Sequence, residues 1–480
     1  MHKNGTHYLN YIGGQWLDSD QLIEVFNPAN EELIATIACA DEADVKRAIS
    51  AALKCVDSGV LSKPRPVARA RMVHRIAEEL RALMGYGVPL LIAENGKTKA
   101  EATQEFEVAI RYFEYYAGIA DKIEGRSIPL GDDYVDFTYY EPVGISAQIV
   151  PWNYPLDICA RSLAPALAAG NAVIIKSPEL TPLSISCIAL ACERAGVPSG
   201  AVNILCGQGS VAGAALVADP NINQIVFTGS VSTGQSILHA AAENALPCVM
   251  ELGGKSAAVV FADADLDTLI TSVDWGIFFN AGQVCSAMSR LLVHEDIYEQ
   301  VVSRVKALAE AQVMGDGADP ETTLTAVASK AQQTHILQLC QRAVAQGAEL
   351  ITGATTKPES KGYFVAPIVL ANVAPDSEIF STEVFGPVIA ITAFKTEEQA
   401  YQLANATKFG LVAGVFTRDI STAMRASKAL KAGQIFVNEW FAGGVETPFG
   451  GLKLSGFGRE KGQEALYSYV NTKNVAIRVS

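Results

Sequence analysis

Two residues, Cys285 and Glu251, have the types and spacing for covalent chemistry. Cys285 stands in Asn280-Ala281-Gly282-Gln283-Val284-Cys285-Ser286, about thirty residues after Glu251-Leu252-Gly253-Gly254-Lys255. A thiol set among small residues, not inside an aliphatic run, is open to an approaching carbonyl carbon, and its thiolate is the attacking species. A glutamate can then take a proton from water in a second step. Taken singly, a cysteine beside glycine is more often a small buried hydrophobe. The remaining motifs decide between the two.

Pro151-Trp152-Asn153-Tyr154-Pro155 fixes a loop by two prolines, and the Asn153 amide offers a donor to a developing oxyanion, a role worth roughly a few kcal/mol. Phe227-Thr228-Gly229-Ser230-Val231-Ser232-Thr233-Gly234 reads as a strand, a glycine turn and a helix start. Backbone amides and the helix dipole favour a pyrophosphate there, and Ser230 adds a hydroxyl. Lys176-Ser177-Pro178-Glu179 supplies a cation and a carboxylate able to bracket a ribose diol. A carboxylate at that place repels a 2'-phosphate, which favours NAD over NADP. Each segment alone is equally an ordinary turn. Two others fail as fingerprints: in Gly207-Gln208-Gly209 with Gly213 the last glycine comes one residue late, and before Gly254-Lys255-Ser256 the first glycine of a P-loop is replaced by Val249.

These groups must be positioned by a large scaffold. Over Asp41 to Ala120 apolar residues recur at helical spacing, as in Ala68, Met72, Ile76, Leu80 and Leu83. Short β-branched runs then alternate with helical stretches, at Gly144 to Val150, Ala172 to Lys176, Val202 to Cys206 and Gln224 to Thr228, which predicts an α/β fold with a parallel, helix-covered sheet. The chain of 480 residues, 49% hydrophobic, calls for two or three compact units. A formal charge of −14 with scattered cations argues against nucleic acid and anionic membranes as partners. Neither the nine cysteines nor the six histidines show metal-ligand spacing, so no metal is expected. No signal-peptide core or membrane-length apolar run is visible, which reads as cytoplasmic.

Together these motifs resemble the NAD(P)-dependent aldehyde dehydrogenase superfamily over essentially the whole chain. The resemblance is carried by Pro151 to Pro155, Lys176 to Glu179, Gly229 to Gly234, Glu251 to Lys255 and Gly282 to Cys285. Glu383-Val384-Phe385-Gly386-Pro387 and Pro448-Phe449-Gly450-Gly451, continuing to Ser455-Gly456, complete the series in the family's order. It implies a Rossmann-type parallel-sheet cofactor domain (1–125 and 145–250), an α/β catalytic domain (251–445) and a small β oligomerisation element (126–144 and 465–480). It further implies a dimer or tetramer, with the strand-like tail Tyr467 to Arg478 bridging subunits. By resemblance Cys285 attacks an aldehyde, Asn153 and the Cys285 N–H hold the oxyanion, and water activated by Glu251 hydrolyses the thioester. Trp152, Lys176, Glu179 and Ser230 fall on the adenosine and pyrophosphate side of NAD, and Glu383 and Phe385 on the nicotinamide side.

The chain departs from the family in two places. Ser177-Pro178 reverses the usual order, and Arg161-Ser162 replaces a Trp-Lys pair whose lysine relays protons toward the position of Glu460. Arg161 is therefore either an anchor for the far carboxylate of a semialdehyde or the i,i+4 partner of Asp157. Tyr154, Phe279, Trp440, Phe441 and Phe449 are expected along the substrate tunnel. The substrate reads as a semialdehyde or aromatic aldehyde, with betaine or aminoaldehyde oxidation as the alternative. A CoA-acylating relative is disfavoured by the presence of Glu251, and a catalytically silent homologue by the presence of both Cys285 and Glu251.

Overall fold

The computed structural model describes residues 1–3 and 5–479. Four helices, Glu42–Ser58, Pro66–Ala82, Met84–Asn95 and Lys99–Ile119, occupy the stretch whose apolar spacing predicts helix. Two of them begin with capping boxes, Asp41 with Asp44 and Thr98 with Glu101, which satisfy amides the first turn leaves unpaired.

The first large sheet has eight strands. Its five central members are parallel, in the spatial order Cys248–Glu251, Gln224–Thr228, Ile145–Ile149, Ala172–Ser177 and Val202–Cys206. Alternate side chains leave on opposite faces: Val173, Ile175 and Ile204 pack with the helices on one side, and Ala172, Ile174 and Leu205 into a second core on the other. Both faces are covered, which is why these strands read as unbroken apolar runs. The chain order reverses at Ile145–Ile149, flanked by the next strand in sequence and by Gln224–Thr228. Such a switch point leaves a crevice at the carboxyl ends of the strands. The Pro151 to Tyr154 loop and the Gly229-Ser230 turn leave from those two ends.

A second, seven-stranded sheet runs Glu349–Thr352, Ile368–Ala371, Val388–Phe394, Arg290–His294, Ala257–Val260, Val412–Phe416 and Gln434–Val437. Only its first strand is antiparallel. Cys285 lies in the loop that enters Arg290–His294. The strand Tyr134–Pro142 pairs antiparallel with the tail strand Val470–Arg478 along its length. The tail departs from expectation at its start. Tyr467 belongs to a short helix, Glu464–Ser468, whose exit is held by Gln224 donating to the Ser468 carbonyl at 2.5 Å and Asn171 to the Tyr469 carbonyl at 2.9 Å. Among the described residues no helix is long and apolar enough to cross a membrane.

Candidate active site

Cys285 is presented by a backbone that few sequences tolerate. Asn280, Ala281 and Gly282 are all left-handed, with φ of 51°, 51° and 71°, and for the two non-glycine residues such strain costs on the order of 1–3 kcal/mol each. Partners from three directions hold it. The Glu101 carboxylate accepts the Asn280 N–H at 2.6 Å, the Gln283 amide donates to the Asn280 carbonyl at 3.0 Å, and the Gln283 side-chain oxygen accepts the Ala328 N–H at 2.8 Å. A Cβ at Gly282 would fall 2.1 Å from the Gly386 carbonyl oxygen, and one at Gly254 2.3 Å from that of Cys285. Glycine there lets the Glu251-Leu252-Gly253-Gly254 turn lie directly against the thiol loop.

Half-buried Cys285 stands between two spaces. On one side a cavity of 610 Å³ is lined by Cys285, Tyr154, Arg161, Phe279, Trp440 and Phe449, with Phe441 and Trp275 beside them. All five aromatics expected along the tunnel are thus placed on this wall; Tyr154 and Phe279 stack at 6.4 Å. On the other side a narrow cleft brings Cys285 together with Gly254, Glu383, Phe385 and Gly386. Asn153 is buried beside the thiol loop, where its amide donates to the Gln283 carbonyl at 2.9 Å, leaving the second N–H of that amide for another acceptor.

Burial pushes the Cys285 thiol up to about 12, and the strongest opposing influence is the Arg161 guanidinium. Glu251 closes its strand in register with Thr228. It is 2% exposed, and neither carboxylate oxygen has a hydrogen-bond partner among the described residues. Burial holds its pKa well above the usual carboxylate range, and again Arg161 opposes most. Arg161 does not pair with Asp157. Its guanidinium forms an ion pair with buried Glu460 and donates to Thr228 Oγ1 at 3.0 Å. The Ser162 hydroxyl donates to the other Glu460 oxygen. The local i,i+4 geometry loses to a partner brought in from the far end of the chain.

At the crevice, Lys176 Nζ meets Glu179 Oε2 at 2.6 Å, and Glu179 Oε1 accepts the Gly209 N–H at 2.8 Å. The Gly207-Gln208-Gly209 turn therefore packs on the Glu179 carboxylate. Ser230 is the N-cap of helix Val231–Glu243; its hydroxyl oxygen accepts the Thr233 N–H at 3.2 Å and donates to Thr233 Oγ1 at 2.9 Å. Trp152 meets Phe385 edge-on at 5.4 Å. Phe385 is left-handed (φ 57°), and its carbonyl accepts from Gln332 at 2.8 Å. Glu383 accepts the Gly254 N–H at 2.9 Å, and burial pushes its pKa up to about 7.

The sequence model of the Aldehyde dehydrogenase family matches residues 16–475. The chain belongs to the aldehyde dehydrogenase family. It is 40% identical to "Retinal dehydrogenase 2" of Homo sapiens over 474 residues, covering 98% of this chain and 91% of that protein. Among solved structures, the NAD+ complex of aldehyde dehydrogenase from Bacillus cereus is similar with a TM-score of 0.97 and 35% identity, covering 99% of this chain and 97% of that one. A betaine aldehyde dehydrogenase from Staphylococcus aureus in complex with NAD+ is similar with a TM-score of 0.96 and 34% identity, covering 98% of this chain and 95% of that one. The expected α/β fold is thus the aldehyde dehydrogenase fold.

Several residues of this family member escape sequence reasoning. Glu101, Gln283 and Gln332 hold the left-handed segments, and Glu105 accepts the Leu156 N–H at 2.9 Å to cap helix Pro155–Ala169 while pairing with buried Lys97. Only Glu101 leaves a local trace, as the third residue of a capping box, and that trace says nothing of its contact with Asn280. Lys461, on the cavity wall, has no motif of its own.

Proposed function

We propose that this protein oxidises an aldehyde to a carboxylic acid with NAD, through covalent attachment at Cys285 and hydrolysis by water activated at Glu251. One observation carries this reading: the thiol lies between an aromatic cavity large enough for an organic aldehyde and a cleft formed by Glu383 and Phe385. The Cys285 thiolate attacks the carbonyl carbon, and the oxyanion of the thiohemiacetal takes hydrogen bonds from the free Asn153 N–H and the Cys285 backbone N–H. The residues at the crevice fit a dinucleotide: a capped helix start with exposed Ser230 for pyrophosphate, the Lys176-Glu179 pair for a ribose diol, and Glu383 with Phe385 for the second ribose and ring. When bound, NAD would accept the hydride. Glu251, whose carboxylate has no hydrogen-bond partner among the described residues, then takes a proton from the water that attacks the Cys285 thioester. The Glu179 carboxylate favours NAD over NADP.

In this reading residues 1–125 and 145–250 bind the cofactor, 251–445 carry the chemistry, and 126–144 with 465–480 join subunits. Support for the last comes from Val470–Arg478 being an edge strand whose outer side has no partner among the described residues, a ready template for another copy. Deleting residues 470–480 is expected to reduce the mass seen by light scattering from a dimer or tetramer to a single chain; an unchanged mass would place the interface elsewhere.

As for the aldehyde, the aromatic wall supports an aromatic substrate better than Arg161 supports a semialdehyde, because its guanidinium is committed to Glu460 and Thr228. Of the three cations on that wall, Arg111, Arg161 and Lys461, the last has no ion-pair partner among the described residues, which weighs against a cationic aldehyde. Arg161 acts instead on the two reactive groups. Charged groups around them include Glu460, Glu383 and Arg459, of which the carboxylates raise and Arg459 lowers the relevant pKa values. Removing the guanidinium removes the largest influence favouring the ionised form of both. Arg161→Gln is therefore expected to move the acidic limb of the kcat–pH profile to higher pH, with Arg161→Lys restoring part of the shift. An unmoved limb would show that Arg161 has no electrostatic role. The reading as a whole is tested by incubating purified protein with a panel of aldehydes and either NAD or NADP, without added thiol. NADH and free acid are expected in equal amounts; a product that requires CoA would reject hydrolysis.

A further inference from the structure

The cavity that holds Cys285 carries more charge than aldehyde oxidation uses. Its cations are Arg111, Arg161 and Lys461. Arg111 is paired with Glu446 at 2.5 Å and Arg161 with Glu460. Lys461 makes no ion pair or hydrogen bond with any described residue. It is half-buried, and its backbone is left-handed at φ 62°, a conformation a lysine holds only when its neighbours impose it. They do. Glu460 before it is locked into antiparallel hydrogen bonds with Phe449, and Gly462 after it donates to the Val445 carbonyl at 2.8 Å and accepts the Tyr116 hydroxyl at 3.0 Å. The turn sets the ammonium 5.9 Å from the Phe449 ring, whose centroid also lies 5.7 Å from the Arg161 guanidinium.

The carboxylates that face Lys461 are Asp157 and Glu446, and neither comes within ion-pair distance. Glu446 is taken by Arg111, while burial pushes Asp157 up to about 6. Burial also lowers the Lys461 pKa, and the Arg161 charge adds to that effect. A partly desolvated ammonium held out of ion-pair contact with its nearest carboxylates is unfavourable, and an anion brought by a ligand would relieve it.

We propose that Lys461 anchors an anionic group, a carboxylate, sulfonate or phosphate, at the far end of the aldehyde whose carbonyl reaches Cys285. This rests on the oxidation reading above and narrows it to aldehydes with an apolar, aromatic-compatible body and a negatively charged tail.

Matched substrates separate the sources of the anion: benzaldehyde, 4-carboxybenzaldehyde, 4-formylbenzenesulfonate, 4-formylphenyl phosphate and 4-(trimethylammonio)benzaldehyde, each with wild type, Lys461→Met and Lys461→Arg. Wild type is expected to prefer an anionic member over benzaldehyde, through KM. The anionic-to-neutral ratio of kcat/KM is expected to fall roughly tenfold or more in Lys461→Met, as for loss of a charged hydrogen bond, and to recover in Lys461→Arg. Whichever anionic member stands highest names the tail. A ratio unchanged in Lys461→Met, or a preference for the ammonium member, overturns the proposal. Terephthalate binding by calorimetry reads the same anchor without turnover. Weaker binding to Lys461→Met than to wild type supports the anchor even if no aldehyde in the set is oxidised, and equal binding rejects it.

Discussion

Cys285→Ala is expected to abolish NADH formation with every aldehyde, lowering kcat/KM by about 10⁴-fold or more, the scale on which loss of an attacking nucleophile acts. The substituted side chain cannot form the thiohemiacetal from which hydride departs, and the other cysteines cannot take over. None of them lines the cavity or the cleft on either side of position 285. The loop itself should survive, because the contacts that hold it belong to Glu101, Gln283, Gly282 and Gly254, not to the sulfur. Unchanged circular dichroism and unchanged NAD binding in the variant would establish that the loss is chemical. Substantial turnover in Cys285→Ala would remove the covalent route.

Glu251→Gln is expected to separate the two half-reactions. Attack and hydride transfer do not need a proton taken from water, so a first turnover of NADH persists. Hydrolysis of the thioester does need it, and steady-state turnover is expected to fall by roughly 10²–10⁴-fold, the usual contribution of a positioned general base. Stopped-flow absorbance should then show a burst close to one NADH per active site followed by a nearly flat phase. The pH dependence has a definite sign. Because burial holds the Glu251 pKa well above the usual carboxylate range, the base is protonated at low pH, and wild-type turnover rises with pH through that raised value. The Gln variant should lose this acidic limb.

The elements with repeated local signals were the ones legible in advance. Val202–Cys206 and Gln224–Thr228 coincide with the apolar runs that announced them, because a strand covered on both faces is apolar at every position. The N-terminal strands, such as Asn10–Ile12 and Gln15–Leu17, are three residues each and carry too little pattern to stand out. At the site, each named motif supplied the right residue type for its chemistry, yet the forces acting on those residues come from afar. Asp157 is four positions from Arg161 and so was the natural partner to consider, whereas Ser162 and Glu460, bonded in the fold, lie 298 residues apart. Nothing about Asn280 or Ala281 announces a left-handed backbone; it exists because Glu101 and Gln283 impose it. Lys461 lies five residues beyond Gly456, where the family motifs end, and its lack of an ion pair is visible only in the fold.

The central claim is a thioester on Cys285 that Glu251 resolves. Its most direct measurement is the intact mass, with peptide mapping, of Glu251→Gln quenched in acid after mixing with NAD and benzaldehyde or 4-carboxybenzaldehyde. The account predicts a mass increase equal to the acyl group, confined to the peptide containing Cys285, absent without NAD, and absent in the double variant with Cys285→Ala. An unmodified protein that has nevertheless produced one equivalent of NADH, or an acyl group on any other residue, would contradict it.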